Sequence, residues 1–168
     1  WTDLSLSSPI STNYGCFFST LTQPVYGLNT ITPITVDSTY EAANIEIYGG
    51  AGTSSRIRIL NGGVYNIQFS AQLGRIAGTS TESISIWLRK NGIDLTDTAT
   101  TLTLPTNNSK AVAAWNWFVN SAANDYYQII WYSPDIDLRI LAEVAGGGHP
   151  GIPSVIATVN RVDQFLSN

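Results

Sequence analysis

Gly62-Gly63-Val64-Tyr65-Asn66-Ile67-Gln68-Phe69-Ser70-Ala71-Gln72-Leu73 is the stretch whose reading decides the fold. Two glycines open it, and apolar and polar residues then alternate. Tyr65, Ile67, Phe69, Ala71 and Leu73 fall on one side of an extended chain, with Val64, Asn66, Gln68, Ser70 and Gln72 on the other. A period of two over that length marks a long strand with one face on a core, because a helix would scatter these side chains around its surface.

The flanks read the same way. Arg56-Ile57-Arg58-Ile59 places isoleucines inward and arginines outward, and Asn61-Gly62 between it and the central strand is a hairpin signal. Upstream lie strand candidates at 15–22, 30–36 and 44–48; Pro33 removes a ladder donor from the second, which suggests an edge or a bulge. Downstream, residues 82–90 alternate with Ile84, Ile86 and Leu88 inward, and Asn91-Gly92 makes a second turn. A Thr-rich segment at 97–104, two aromatic strands at 110–119 and 126–133, and strands at 138–144 and 154–162 complete the series. Gly146-Gly147-Gly148-His149-Pro150-Gly151 reads as a flexible loop. About ten short strands with no helix predict an all-β sandwich or barrel. Residues 15–163 form this domain, residues 1–14 an N-terminal arm or linker, and residues 164–168 a C-terminal tail.

A chain of 168 residues suits one domain with a sizeable core. Charged residues make up 12%, about half the usual roughly 25%, and Ser, Thr, Asn and Gly take their place. The net charge of −4 and six dispersed arginines leave no basic stripe for a phosphate backbone, which argues against nucleic acid. No apolar run approaches the roughly 20 residues of a membrane span. The chain opens at Trp1 and contains no methionine, which reads as a fragment or a processed form.

Chemistry has few candidates. Cys16, alone, excludes an intrachain disulfide and reads as a small core filler. His149, the only histidine, sits in a glycine loop, a poor mount for a catalytic base. Asp135 and Asp137, and more loosely Asp94 and Asp97, could offer oxygens to calcium, but no full ligand series follows them and turn capping explains them better. No cofactor motif and no catalytic constellation emerge, so an enzyme is not expected.

The aromatic strands are richer. Trp115 and Trp117 share one face of 110–119 and Phe118 takes the other; the next strand carries Tyr126, Tyr127, Trp131 and Tyr132. Rings on both faces serve one of three ends: the core, a subunit interface or a saccharide platform. Trp115, Trp117, Phe118, Tyr127 and Trp131 are accordingly the interface candidates. Loops at 49–55, 74–81 and 145–152 are candidate recognition surfaces, with Ser54, Thr79, Gly148 and His149 as contact residues.

Gly63-Val64-Tyr65-Asn66-Ile67-Gln68-Phe69-Ser70 resembles the Gly-x-Tyr-x-x-x-Phe-Ser strand of the C1q and tumour-necrosis-factor (TNF) jelly rolls. Leu88-Arg89-Lys90-Asn91-Gly92 is similar to the strand end and turn that follow it there. Phe118 through Ile130 resembles a strand, a Gly-Asp turn and an apolar strand, with Asn124 in place of the glycine. Residues 152–162 resemble the closing strand of C1q-like heads in tailed-phage fibre and virion proteins. The resemblance implies a C1q/TNF-like jelly-roll β-sandwich assembling as a homotrimer. It further implies a non-enzymatic viral structural protein exposed on the virion surface: the knob of a phage tail fibre contacting a host receptor, a saccharide among the options, or a capsid decoration protein contacting other virion proteins. A secreted carbohydrate-binding module using Trp115 and Trp117 is the alternative from another class.

Overall fold

The computed structural model describes residues 12–49, 54–106 and 108–163. Residues 1–11 of the expected arm and the expected tail at 164–168 lie outside the described residues. Within them the chain is all-β: β1 (Tyr14–Ser19), β2 (Gln23–Pro24), β3 (Thr32–Pro33), β4 (Ser38–Ala43), β5 (Ile45–Tyr48), β6 (Arg56–Ile59), β7 (Gly63–Arg75), β8 (Glu82–Lys90), β9 (Ile93–Asp94), β10 (Thr100–Leu104), β11 (Lys110–Ser121), β12 (Tyr126–Tyr132), β13 (Leu138–Ile140) and β14 (Val155–Arg161).

These strands form two antiparallel sheets. In the first, β11 flanks one edge of β7; the other edge is shared by β14 and the short β13, and the sheet continues through β1 to β4. The second runs β10-β8-β12-β6-β5. The pairing is nested: β1 pairs with β14, β6 with β12, β7 with β11 and β8 with β10. Early strands therefore meet late ones, as in one long hairpin rolled over on itself.

β7 carries the core as its alternation demands. Tyr65, Ile67, Phe69, Ala71 and Leu73 are all buried, facing Ile57, Ile59, Ile84, Ile86 and Leu88 of the opposing sheet within one apolar cluster. Tyr65 keeps its buried hydroxyl satisfied by donating to the Asn61 carbonyl at 2.7 Å. The strand ends at Arg75, where Asn108 N donates to the Arg75 carbonyl and Arg75 N to the Ser109 carbonyl.

Three sequence expectations change. Asn61-Gly62 joins β6 to β7, which lie in different sheets, so it is a crossing between layers and no hairpin. A tight two-residue hairpin turn needs positive φ at its central residues, and here only Gly63 has it. Cys16 is half-exposed on the outer face of the first sheet, because Phe17 takes the inward position and alternation turns its neighbour out. The glycine loop is a hydrogen-bonded turn: Gly146 and His149 exchange backbone bonds, with Gly147 and Gly148 at φ 57° and 88°. Glycine adopts this mirror-image turn without a steric penalty.

Candidate functional site

The two sheets present outer faces of opposite character. On the first, alternation along β11, β7, β14 and β1 turns out Val112, Asn116, Phe118, Gln68, Ile156 and Phe18, among others. Between Val112 and Asn120, and across the neighbouring strands to β1, this face carries no charged side chain. Register builds it in rows: Phe118 lies beside Asn66 and Asn66 beside Asn160, while Ala114, Ser70, Ile156 and Phe18 form a second row. Asn116 donates to Asn66 Oδ1 at 3.0 Å across the rows. A shallow hollow of about 220 Å³, lined by Cys16, Phe18, Tyr40, Pro153 and Ile156, opens on this face and shows no polar lining. Phe118, 67% exposed, projects from the β11 edge of the same face, with β7 between it and the strands that line the hollow.

The five ring candidates divide by face. Tyr127 and Trp131 are each 1% exposed, closed into the core. Trp117 is 8% exposed; its indole stacks on Phe69 at 5.2 Å between centroids and donates to the Thr98 carbonyl at 3.1 Å. Trp115 is half-buried, edge-on to Phe69 at 4.6 Å. Phe118 alone turns fully outward. The rings of Trp115 and Trp117 meet at 80°, so they make no flat platform on which a pyranose could lie. Their packing partner is Phe69 of β7, a contact the pairing of β11 with β7 dictates.

At one end of the sandwich Arg75 gathers the loops. Its buried guanidinium donates to the Ser80 and Pro105 carbonyls and sits 2.8 Å from Asp135 Oδ2, off the line of its N–H bonds. Asp135 Oδ1 accepts from Asp137 N at 2.9 Å, a side chain closing its own turn. Asp135 Oδ1 is thus hydrogen-bonded within the chain, while Oδ2 has the ion pair with Arg75 and no hydrogen bond. Thr79 is exposed on the loop that Arg75 pins, and Lys110 pairs with Glu143 to hold the neighbouring 141–153 segment. Gly148 and His149 lie exposed at the tip of that segment, with His149 Nδ1 2.8 Å from the Pro150 carbonyl. Ser54 is half-buried and belongs to a different place, the end of the β5–β6 connection, where its carbonyl accepts from Val36 N. Thr79 and His149 therefore share one end of the fold, while Ser54 is held by Val36, which precedes the Asp37 that bonds the Phe18 carbonyl of β1.

The opposite end holds a second polar cluster. Lys90 lies 2.7 Å from Asp125 and donates to the Asn120 carbonyl at 2.9 Å. Asn91 donates to the same carboxylate at 2.7 Å and accepts from Tyr126 N at 2.9 Å. Burial pushes the Asp125 carboxyl up, but bonds from Lys90, Asn91 and Ala122 N outweigh it and leave it below its ordinary 3.8. Asn124 has φ 69°, the left-handed geometry a glycine would otherwise supply.

The second sheet's outer face is where sequence reasoning missed a feature. Tyr48, Arg56, Arg58 and Tyr126 converge there, joined by the registers Tyr48–Arg56 and Tyr126–Arg58. The two rings meet edge to face at 5.8 Å, and the Arg56 guanidinium lies 4.9 Å from the Tyr126 centroid and 5.4 Å from that of Tyr48. The outward arginines of Arg56-Ile57-Arg58 were the available signal, but their aromatic neighbours come from two other strands.

No family model and no curated protein matches the sequence.

Proposed function

We propose that the chain is a non-enzymatic structural protein of a virion, a jelly-roll head that assembles as a homotrimer and is displayed as the knob of a phage tail fibre or particle surface, where it contacts a host receptor. The nested strand pairing supports the jelly-roll part of this reading, since rolling an antiparallel hairpin produces that order. The observation that carries the assembly part is the uncharged outer face of the first sheet. Phe118, Val112 and Ile156 lie exposed there among amides and hydroxyls. Depletion of charge with an aromatic anchor is the composition of an interface centre. A projecting ring on one edge and an apolar hollow toward the other suit a head-to-tail contact, which closes into a ring when the rotation permits.

Trimerisation matters for the role because three weak sites held at fixed spacing bind a multivalent surface far more tightly than one. The solution mass of the purified chain tests the reading. Three times 18.2 kDa is expected, and Phe118→Asp is expected to shift the mass toward one copy. A wild-type chain that stays at one copy at high concentration overturns it.

A further inference from the structure

We propose that Arg56, flanked by Tyr48 and Tyr126 on the outer face of the second sheet, anchors a binding site for an anionic saccharide, one whose sugar ring carries a carboxylate or a phosphate. The other five arginines are all engaged. Arg58 pairs with Glu46, Arg75 with Asp135, Arg89 with Asp94 and Arg161 with Asp163. Arg139 donates to the Ile136 and Leu138 carbonyls. Arg56 is exposed, and among the described residues it meets no carboxylate and donates no hydrogen bond. Arg56 is thus the one arginine of the described residues with neither a carboxylate nor a carbonyl partner.

Its surroundings prepare it for a ligand. Two tyrosine rings at 4.9 and 5.4 Å hold the guanidinium while its N–H groups stay in water. That leaves the planar fork free to bind an oxyanion through two parallel bonds, which is what distinguishes arginine from lysine. The two half-buried rings beside it also bring hydroxyls that can meet a sugar's polar edge. Arg58 lies 4.9 Å from the Tyr48 centroid but is neutralised by Glu46, so one anionic group is recognised here and not two. The site is built by β5, β6 and β12 of a single chain, on the sheet opposite the uncharged face. A neighbouring copy packed on the first sheet leaves it open, and an assembly would carry one such site per copy.

The identity of the ligand as a receptor rests on the reading proposed above; the site itself does not. Calorimetric titration of the full chain with trigalacturonic acid, galactotriose and a phosphorylated mannose trisaccharide tests it. Binding of at least one anionic sugar with none of galactotriose is expected, and which anionic sugar binds assigns the carboxylate or the phosphate. Arg56→Gln is expected to weaken that binding by about tenfold or more, the loss of one charged, hydrogen-bonded contact. Arg58→Gln is expected to change it by less than about threefold, since that charge is already compensated. Arg56 is exposed, so its substitution should leave thermal unfolding unchanged, and that measurement separates lost binding from lost fold. Failure of both anionic sugars to bind, or equal binding by Arg56→Gln, overturns the site. Solution mass measured on the same samples keeps this separate from the trimer reading: a solitary chain that still binds through Arg56 removes the trimer and keeps the site.

Discussion

Arg75 Nη2 lies 2.8 Å from Asp135 Oδ2 in a buried ion pair, at the end of the sandwich where the connections after β7, β10 and β12 converge. The guanidinium also ties Ser80 and Pro105, so it holds two loops as well as the carboxylate. Removing one partner strands the other charge away from water, at a cost of about 3–5 kcal/mol. Arg75→Met should therefore destabilise the fold to that extent in urea unfolding. Arg75→Met with Asp135→Leu should recover part of the loss. A single-variant loss under about 1 kcal/mol, the range of exposed pairs, would show that the pair is no anchor.

Trp117 and Phe118 are adjacent, and strand alternation gives them opposite consequences. Trp117→Ala empties a site packed on Phe69 and should cost about 3–5 kcal/mol. Phe118→Ala leaves the subunit's own packing intact and should alter single-copy stability by no more than about 0.5 kcal/mol. Chemical denaturation at low concentration reads the first effect, and sedimentation reads what Phe118 contributes to association. Equal destabilisation by the two would contradict the assignment of faces.

The turns at Asn91-Gly92 and Gly147-Gly148 both need positive φ, with Gly92 at 84° and Gly148 at 88°. Alanine at either position should cost about 1 kcal/mol or more. Gly92 joins β8 to β9 beside the Lys90–Asp125 cluster, whereas a side chain at Gly148 meets open space. Gly92→Ala should therefore lower the melting temperature of the whole domain. Gly148→Ala should act locally, seen as faster amide exchange at Gly146 and His149 with little change in melting. Identical global effects would show that the 141–153 segment unfolds with the core.

Asp125 and Lys90 set opposite pH limits. The Asp125 carboxyl is held below 3.8, so its stabilising contribution is present above that value and lost as pH falls through the lowered one. Burial pulls the Lys90 ammonium down, yet bonding to Asp125 and proximity to Tyr127 leave it above 10.5, so its contribution is lost as pH rises beyond that. The stability gap between the wild type and Asp125→Asn should stay level near neutrality and narrow below about pH 3.8. A gap that persists unchanged in acid would show that Asp125 acts through something other than its charge.

Period-two alternation was enough to place β7 and β8 and to set the two faces of β11, because each has one face on the core, whereas β12 is buried on both faces and shows no such period. β4 escaped, since Ser38–Ala43 is an exposed edge strand with no apolar face to betray it. Asn61-Gly62 misled for a related reason: turn chemistry is local, while the choice between pairing with the previous strand and crossing to the other sheet is made by long-range burial. The division of the rings was legible only as parity. Trp117 and Phe118 could be set on opposite faces, but the burial of Tyr127 and Trp131 depends on which sheet lies above them. The Tyr48–Arg56–Tyr126 cluster was out of reach because Tyr126 joins the β5–β6 pair from β12, far along the chain.

Pairing of the first strand with the last has a bearing on how anything joined to this molecule would be arranged. Tyr14 stands opposite Asn160, and Arg161 N donates to the Asn13 carbonyl at 3.0 Å, so the polypeptide enters and departs at one pole. The Arg75 pole is the antipode. A tether pulling through Asn13 or through Arg161 would pull from the same side, and the Thr79 and His149 tips would be carried outermost, like the crown of a bud on its stem.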